Sequence, residues 1–134
     1  MALKVGIVGL GIMGGSFAKN LRETGFEVCG FDIVEENVQA LVELGGSAAM
    51  SPKDVAEQAD VVITSLPSIP AFHDVMTGED GLKDAAKDGL IVIECSTLPI
   101  DDKQAAHDAL EEAGSILLDC PISGTGAQAV TKDL

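Results

Sequence analysis

A glycine-rich stretch near the start of the chain most constrains its fold. An apolar run, V-G-I-V at 5–8, leads into three glycines with the spacing G-x-G-x-x-G, at Gly9, Gly11 and Gly14. The following residues carry apolar side chains at helical intervals. A buried strand that turns tightly into a helix has this pattern. Such a turn would present backbone N–H groups at a helix N-terminus, which can bind a pyrophosphate.

The next predicted strand ends at an acidic residue. Asp32 lies 18 residues after Gly14, close to the offset of about 20 at which a carboxylate binds an adenosine ribose in dinucleotide-binding folds. In that interpretation Gly9 makes the turn, Gly11 lets the backbone approach the pyrophosphate, and Gly14 lets helix and strand pack closely. A 2′-phosphate would face the carboxylate, and residues 33–36 include no arginine. The sequence therefore favours NAD over NADP; the alternative is a tight turn without a ligand.

The rest of the chain alternates between strand-like and helix-like segments. Strands are predicted at 3–8, 27–31, 47–50, 60–66, 90–95 and 116–119, and helices at 12–24, 35–44, 52–59, 71–76 and 99–113. Prolines predict a loop over 67–70, and the stretch 78–89 is variable. The alternation predicts βαβ units in one α/β domain over residues 1–134, with a doubly wound, mainly parallel sheet of the Rossmann type.

Composition limits the possible partners and compartments. A formal net charge of −14 argues against nucleic acid and anionic membranes, because phosphate binding needs basic patches. Three cysteines without C-x-x-C spacing (Cys29, Cys95, Cys120) fit a reducing compartment, and no apolar run approaches a membrane span. We therefore expect a soluble cytoplasmic domain. His73 and His107 have no ligand-spaced partner, so we predict solvent-facing or capping roles and no metal site.

Three later loops follow predicted strands and carry small or polar residues. They contain Leu66–Pro67, Ser96–Thr97 and Ser123–Thr125. Each alone is most simply a turn whose hydroxyls satisfy local backbone groups. In an open α/β sheet, however, the carboxyl ends of the parallel strands share one edge, where ligands bind. Because these three loops would lie at that common edge, they favour a ligand site next to the glycine turn.

Four motifs together resemble the β-hydroxyacid dehydrogenases, the family of 3-hydroxyisobutyrate dehydrogenase, tartronate semialdehyde reductase and 6-phosphogluconate dehydrogenase. They are G-L-G-I-M-G at 9–14, S-L-P at 65–67, C-S-T at 95–97 and D-C-P-I-S-G at 119–124. The resemblance implies a cofactor site formed by Gly9, Leu10, Gly11, Ile12, Met13, Gly14, Asp32, Leu66, Pro67 and Thr97, although the helical position of Met13 also suits core packing. It implies a substrate loop at Ser123, Gly124 and Thr125, where Thr125 replaces the second glycine of the usual S-G-G.

The resemblance also implies that this chain carries no catalytic residue of its own. The family's catalytic lysine lies on a helix of a second, all-helical domain, which we expect beyond Leu134, and no lysine here lies in the matching motif. We therefore expect an NAD-binding domain that stops before its last strands and binds the cofactor without turnover. The longer protein would transfer hydride between NAD and a small 3-hydroxy acid, as a homo-oligomer. The alternative is a nucleotide-sensing regulatory module, which shares the glycine fingerprint but has no reason to carry the C-S-T and P-I-S-G loops.

Overall fold

The architecture is a six-stranded, all-parallel sheet with helices on both faces, in a computed structural model that describes residues 3–134. The strand order is β3-β2-β1-β4-β5-β6. The strands are β1 (Lys4–Val8), β2 (Glu27–Phe31), β3 (Ser47–Ala48), β4 (Val61–Thr64), β5 (Ile91–Glu94) and β6 (Ile116–Asp119). Because all pairings are parallel, every carboxyl end lies at the same edge. The predicted doubly wound Rossmann sheet is confirmed.

Six α-helices connect the strands or follow them in the described part of the chain. They are α1 (Ile12–Glu23), α2 (Glu35–Glu43), α3 (Pro52–Gln58), α4 (Ile69–Thr77), α5 (Ile100–Glu112) and α6 (Gly126–Val130). A short 3-10 helix spans Leu82–Ala85 within the predicted variable stretch. None of these helices is long and apolar enough to cross a membrane.

The sheet separates two aliphatic cores. On one face, α1 and α2 pack on β1 and β2 through residues such as Ala18 and Leu41. On the other face, α3 packs against β1 and β2, α5 packs against β6, and Val55, Phe72 and Leu110 belong to one core cluster. The helices that follow β3 lie on this second face, and the strand order reverses between β1 and β4. That reversal opens a crevice at the carboxyl edge.

Two sequence predictions are wrong about helix positions. The loop predicted over 67–70 includes Ile69–Pro70, which instead form the first turn of α4, where Ser68 Oγ accepts a hydrogen bond from Ala71 N at 3.3 Å. Proline suits a first helical turn because its missing N–H would have no intrahelical partner. Helix α6 is absent from the prediction, since its five residues are too few to show a helical period. The predicted third strand is only two residues long.

Candidate functional site

The main cavity of the described residues, about 480 Å³, opens at the carboxyl edge where the strand order reverses between β1 and β4. Ligand sites in proteins have volumes of roughly 300 to 1,000 Å³. Its walls come from the glycine turn, the end of β2, the end of β4 and the first turns of α4. The lining residues are Val8, Gly9, Gly11, Ile12, Met13, Phe31, Asp32, Ile33, Val34, Asn37, Ser65, Leu66, Pro67, Ala71, Asp74 and Val75.

Gly9 and Gly14 make the floor of the cavity possible. Gly9 has a φ of +94°, a conformation that side chains other than glycine rarely adopt. A Cβ on Gly9 would clash with the carbonyl oxygen of Ser65, and one on Gly14 would clash with the carbonyl oxygen of Gly9. Gly9 therefore lets the turn lie close to the end of β4, and Gly14 lets α1 pack closely on the turn.

Gly11 differs because there is open space beside its Cα. A Cβ placed on it would meet no heavy atom of the described residues within 4 Å. Gly11 is also the N-cap of α1, which has no side-chain cap and no acidic residue in its first turn. The N–H groups of a first helical turn have no acceptor within the helix, and the helix dipole favours an anion there. This end of α1 is therefore suited to bind a phosphate group.

Asp32 forms the opposite side of the glycine turn. Its Oδ2 accepts a hydrogen bond from Leu10 N at 2.7 Å, and its Oδ1 accepts one from Val34 N at 2.8 Å. Each carboxylate oxygen can accept about two hydrogen bonds, so each keeps one free position on the half-buried, cavity-facing side chain. That is the arrangement needed to accept two ribose hydroxyls.

The rest of the cavity lining is mostly apolar and carries no positive charge. It includes Val34, Leu66 and Val75, and no lysine or arginine is among the lining residues. The ionisable lining groups are the carboxylates of Asp32 and Asp74. A flat apolar group such as a nucleobase fits between such walls, whereas a second phosphate near Asp32 would meet like charge.

The structure brings together seven of the ten residues predicted to bind the cofactor, which are Gly9, Gly11, Ile12, Met13, Asp32, Leu66 and Pro67. Leu10 and Gly14 are buried behind the lining and support it. Thr97 is exposed after β5, outside the cavity. Sequence reasoning missed the apolar residues after Asp32. These residues are Ile33 and Val34, and Ile33 is 91% exposed. The sequence signal for them is an apolar pair between Asp32 and the first residue of α2.

The predicted substrate loop lies close to α1 because of α6. Thr125 caps α6: its Oγ1 accepts from Gln128 N at 3.3 Å, and Gln128 Oε1 accepts from Thr125 N at 2.9 Å. Gly126 lies against the side chain of Ile12, and Asn20 Nδ2 donates to Ala129 O at 2.9 Å. The hydroxyl of Thr125 is thus engaged in a capping box. The exposed Ser123 and Gly124 precede it.

The segment after α6 returns to the predicted substrate loop. A Cβ added to Gly124 would come within 2.7 Å of Leu134 Cδ2, so the side chain of Leu134 lies beside that loop. No lysine is among the residues that line the cavity. The catalytic lysine that the resemblance implies, expected beyond Leu134, lies outside the described residues, and its position stays a prediction.

Neither histidine is among the residues that line the cavity. His73 is not merely solvent-facing or capping, because its Nε2 lies 2.7 Å from Asp102 Oδ1 and joins α4 to α5. His107, Asp108 and Glu111 place potential ligand atoms within 4.8 Å of one another on α5. Hydrogen bonds from His107 and Gln104 lower the pKa of the Asp108 carboxyl. These side chains are largely exposed, and the absence of a metal site stays a prediction.

Fold and cavity together define a dinucleotide-binding domain of the Rossmann type. The sequence of residues 4–134 matches the family described as the NAD binding domain of 6-phosphogluconate dehydrogenase, and the chain belongs to that family.

Several curated relatives of the chain are named as dehydrogenases. The chain is 37% identical over 131 residues to the NAD-dependent L-serine dehydrogenase of Pseudomonas aeruginosa, covering 98% of this chain and 44% of that protein. It is 38% identical over 121 residues to the mitochondrial 3-hydroxyisobutyrate dehydrogenase of Rattus norvegicus, covering 90% and 36%. The structure of Mycobacterium tuberculosis 3-hydroxyisobutyrate dehydrogenase with L-serine has a TM-score of 0.89 and 30% identity, covering 98% and 44%. The chain thus spans less than half the length of these relatives.

Proposed function

We propose that this chain binds NAD in preference to NADP and forms the cofactor half of a dehydrogenase site. The observation that supports this most strongly is the Asp32 carboxylate, which faces a cavity whose lining includes no lysine or arginine. The two backbone N–H groups that hold Asp32 leave it able to accept from ribose hydroxyls. A 2′-phosphate there would meet two carboxylates and no cation to balance it.

Each part of the cofactor has a matching group in the chain. The first turn of α1 would hold the pyrophosphate, with Gly11 leaving room for it. Asp32 would hold the adenosine ribose, and the apolar walls around Val34 and Val75 would hold the adenine. Leu66 and Pro67 would direct the nicotinamide half of the dinucleotide towards Thr97, in the loop that follows β5. When bound, the nicotinamide ring supplies the hydride chemistry, and the protein orients it.

The substrate half is proposed from the relatives rather than from the cavity. Relatives named 3-hydroxyisobutyrate dehydrogenase and L-serine dehydrogenase support a small 3-hydroxy acid as the substrate of the longer protein. They also favour hydride transfer over a nucleotide-sensing module. Ser123 and Gly124 are proposed to contact that acid. The cavity lining includes no lysine or histidine to act as a general acid or base, which supports the proposal that these 134 residues bind cofactor without turnover.

Fluorescence titration of the chain with NADH and NADPH tests the cofactor assignment. We expect NADH to bind at least ~10-fold more tightly, equivalent to about 1.4 kcal/mol. Equal or tighter binding of NADPH would overturn the preference, and no binding of either would overturn the site. Mixing the chain with NAD and a panel of 3-hydroxy acids should give no absorbance of NADH, whereas the full-length protein should oxidise at least one of them.

A further inference from the structure

A cluster of three charged side chains, two buried and one exposed, lies at the carboxyl edge of the sheet. Glu94 ends β5 and is fully buried, and Asp119 lies opposite it at the end of β6. Between them Lys103 reaches in from α5 and is only 5% exposed. Its Nζ lies 2.5 Å from Asp119 Oδ1 and 3.7 Å from Glu94 Oε1. We call Glu94, Lys103 and Asp119 the charged clasp.

The charged clasp holds Ser96 by both of its backbone polar groups. Ser96 N donates to Glu94 Oε1 at 2.6 Å, and Lys103 Nζ donates to Ser96 O at 2.8 Å. Ser96 is itself buried, 6% exposed. Hydrogen bonds to charged groups are stronger and shorter than neutral ones. The backbone that precedes Thr97 is therefore fixed from both sides by charge-assisted bonds.

Ser96 passes this constraint to the wall of the cavity. Its Oγ accepts a hydrogen bond from Leu66 N at 2.7 Å, and Leu66 lines the cavity. A second connection runs through Thr64, the last residue of β4, whose Oγ1 donates to Glu94 Oε2. The ends of β4, β5 and β6 are thus tied to one buried ammonium group.

A gain in stability does not explain why the charged side chains of Glu94 and Lys103 are buried. Removing ions from water is costly, and replacing a buried ion pair by packed apolar residues is often neutral or stabilising. A network with every member satisfied can instead impose one geometry on the groups it binds. All of the polar side-chain atoms of Glu94 and Lys103 have partners, and those partners include both backbone polar groups of Ser96, the residue before Thr97.

We propose that Lys103 is a positioning residue, which with Glu94 fixes Ser96 and, through Ser96, the Leu66 backbone at the cavity wall. The proposal rests on the proposed cofactor site for its functional consequence. It assigns Lys103 no contact with cofactor or substrate. Its effect should fall on the part of the dinucleotide that lies beyond Leu66, which is the nicotinamide nucleoside, and spare the part held by the glycine turn and Asp32.

The test compares Lys103→Met with the surface control Lys83→Met in the 134-residue chain. Lys83 is 40% exposed and lies 3.6 Å from Glu112, outside the cavity lining. In Lys103→Met, amide hydrogen exchange at Leu66 and Ser96 should accelerate at least ~10-fold beyond the change at core amides of β1. The Kd of NAD should rise about 10-fold and that of ADP-ribose less than about 2-fold, because ADP-ribose lacks the nicotinamide. Lys83→Met should change none of these values.

Acceleration of the same size at Leu66, Ser96 and the core amides of β1, together with an unchanged ratio of the two Kd values, would overturn the proposal, whatever the overall loss of stability. If Lys103→Met does not fold, Glu94→Gln combined with Lys103→Met removes the unbalanced charge and carries the same expectations. Failure of both variants to fold would also overturn it, by making Lys103 a folding residue. If the wild-type chain binds neither NAD nor ADP-ribose, the proposed function fails, and the exchange rates at Leu66 and Ser96 alone decide the positioning role.

Discussion

Two acidic residues at the carboxyl edge of the sheet, Asp32 and Glu94, lie in opposite environments. Asp32, just after β2, faces the cavity and accepts only two backbone N–H groups. Glu94, the last residue of β5, is fully buried and bound by Thr64, Ser96 and Lys103. One carboxylate keeps free acceptor positions for a ligand, and the other is used by the protein itself.

The difference shows that an acid at a strand end is not by itself a sign of a binding site. What separates Asp32 from Glu94 is the sheet position. Asp32 lies where the end of β2 opens into the cavity, whereas Lys103 of α5 lies against Glu94 at the end of β5. Substitutions at Glu94 and its partner Lys103 should mainly change the stability of the chain, whereas substitution of Asp32 should mainly change NAD binding.

The largest expected effect is on stability, at the charged clasp. Lys103→Met should lower the free energy of unfolding by about 3 to 5 kcal/mol, because it leaves Glu94 buried without its cation. Adding Glu94→Gln should recover most of that loss. Urea unfolding followed by circular dichroism measures both. A loss below about 1 kcal/mol for Lys103→Met would show that water already solvates Glu94.

In the glycine turn, substitution of Gly9 should mainly affect stability, whereas substitution of Gly11 should mainly affect NAD binding. Gly9→Ala should destabilise the chain by about 3 kcal/mol or more, since it adds both a strained φ and a clash with Ser65 O. Gly11→Ala should cost about 1 kcal/mol or less but weaken NAD binding at least ~10-fold by filling the space for the pyrophosphate. Thermal unfolding and NADH titration separate the two. Equal NAD affinity in Gly11→Ala and wild type would contradict the assigned site.

Asp32→Ala should chiefly affect the ligand. Loss of charge-assisted hydrogen bonds to the ribose should raise the Kd of NAD about 10- to 100-fold. The free energy of unfolding should fall by no more than about 2 kcal/mol, because only one of the two residues whose N–H loses its acceptor, Leu10, is buried. Isothermal titration gives the Kd, with the exposed Glu43→Ala as the matched control. A large loss of stability with unchanged NAD affinity would place Asp32 with Glu94, as a structural acid.

The smallest expected effect is on Cys95, which reports the charge of Glu94. Burial, followed by the Glu94 carboxylate and Cys120, raises the pKa of the Cys95 thiol to about 11. Since only the thiolate is alkylated, the Cys95 rate should rise with pH up to that value. Glu94→Gln removes one cause and should shift the rise to lower pH, while burial keeps the pKa above its ordinary value.

Iodoacetamide labelling with mass spectrometry from pH 8 to 11 measures the Cys95 rate. Cys29 is the internal control, since burial also raises the pKa of its thiol and Glu94 is not among the groups that affect it. An unchanged pH profile at Cys95 would mean that Lys103 screens the Glu94 charge completely.

Local chemistry made much of the fold predictable. The glycine spacing, the offset of Asp32 and the alternation of strands and helices act over short distances along the chain, so they survive without tertiary information. For this reason β2 was predicted at its observed bounds, Glu27–Phe31. Helix α6 was missed because its five residues are too few to show a helical period and because it packs against α1, a contact that the local sequence does not encode.

The sequence by itself determined a strand, a glycine turn and an acid suited to a dinucleotide, because backbone conformation and residue spacing encode them locally. Only the tertiary structure decided which acid stays open, since that depends on the helix that covers each strand end. Glu94 and Lys103 are nine residues apart along the chain, without a pattern to link them. They meet because the chain turns back after β5, so that the first turn of α5 brings Lys103 to Glu94, and burial then forces the two charges to pair.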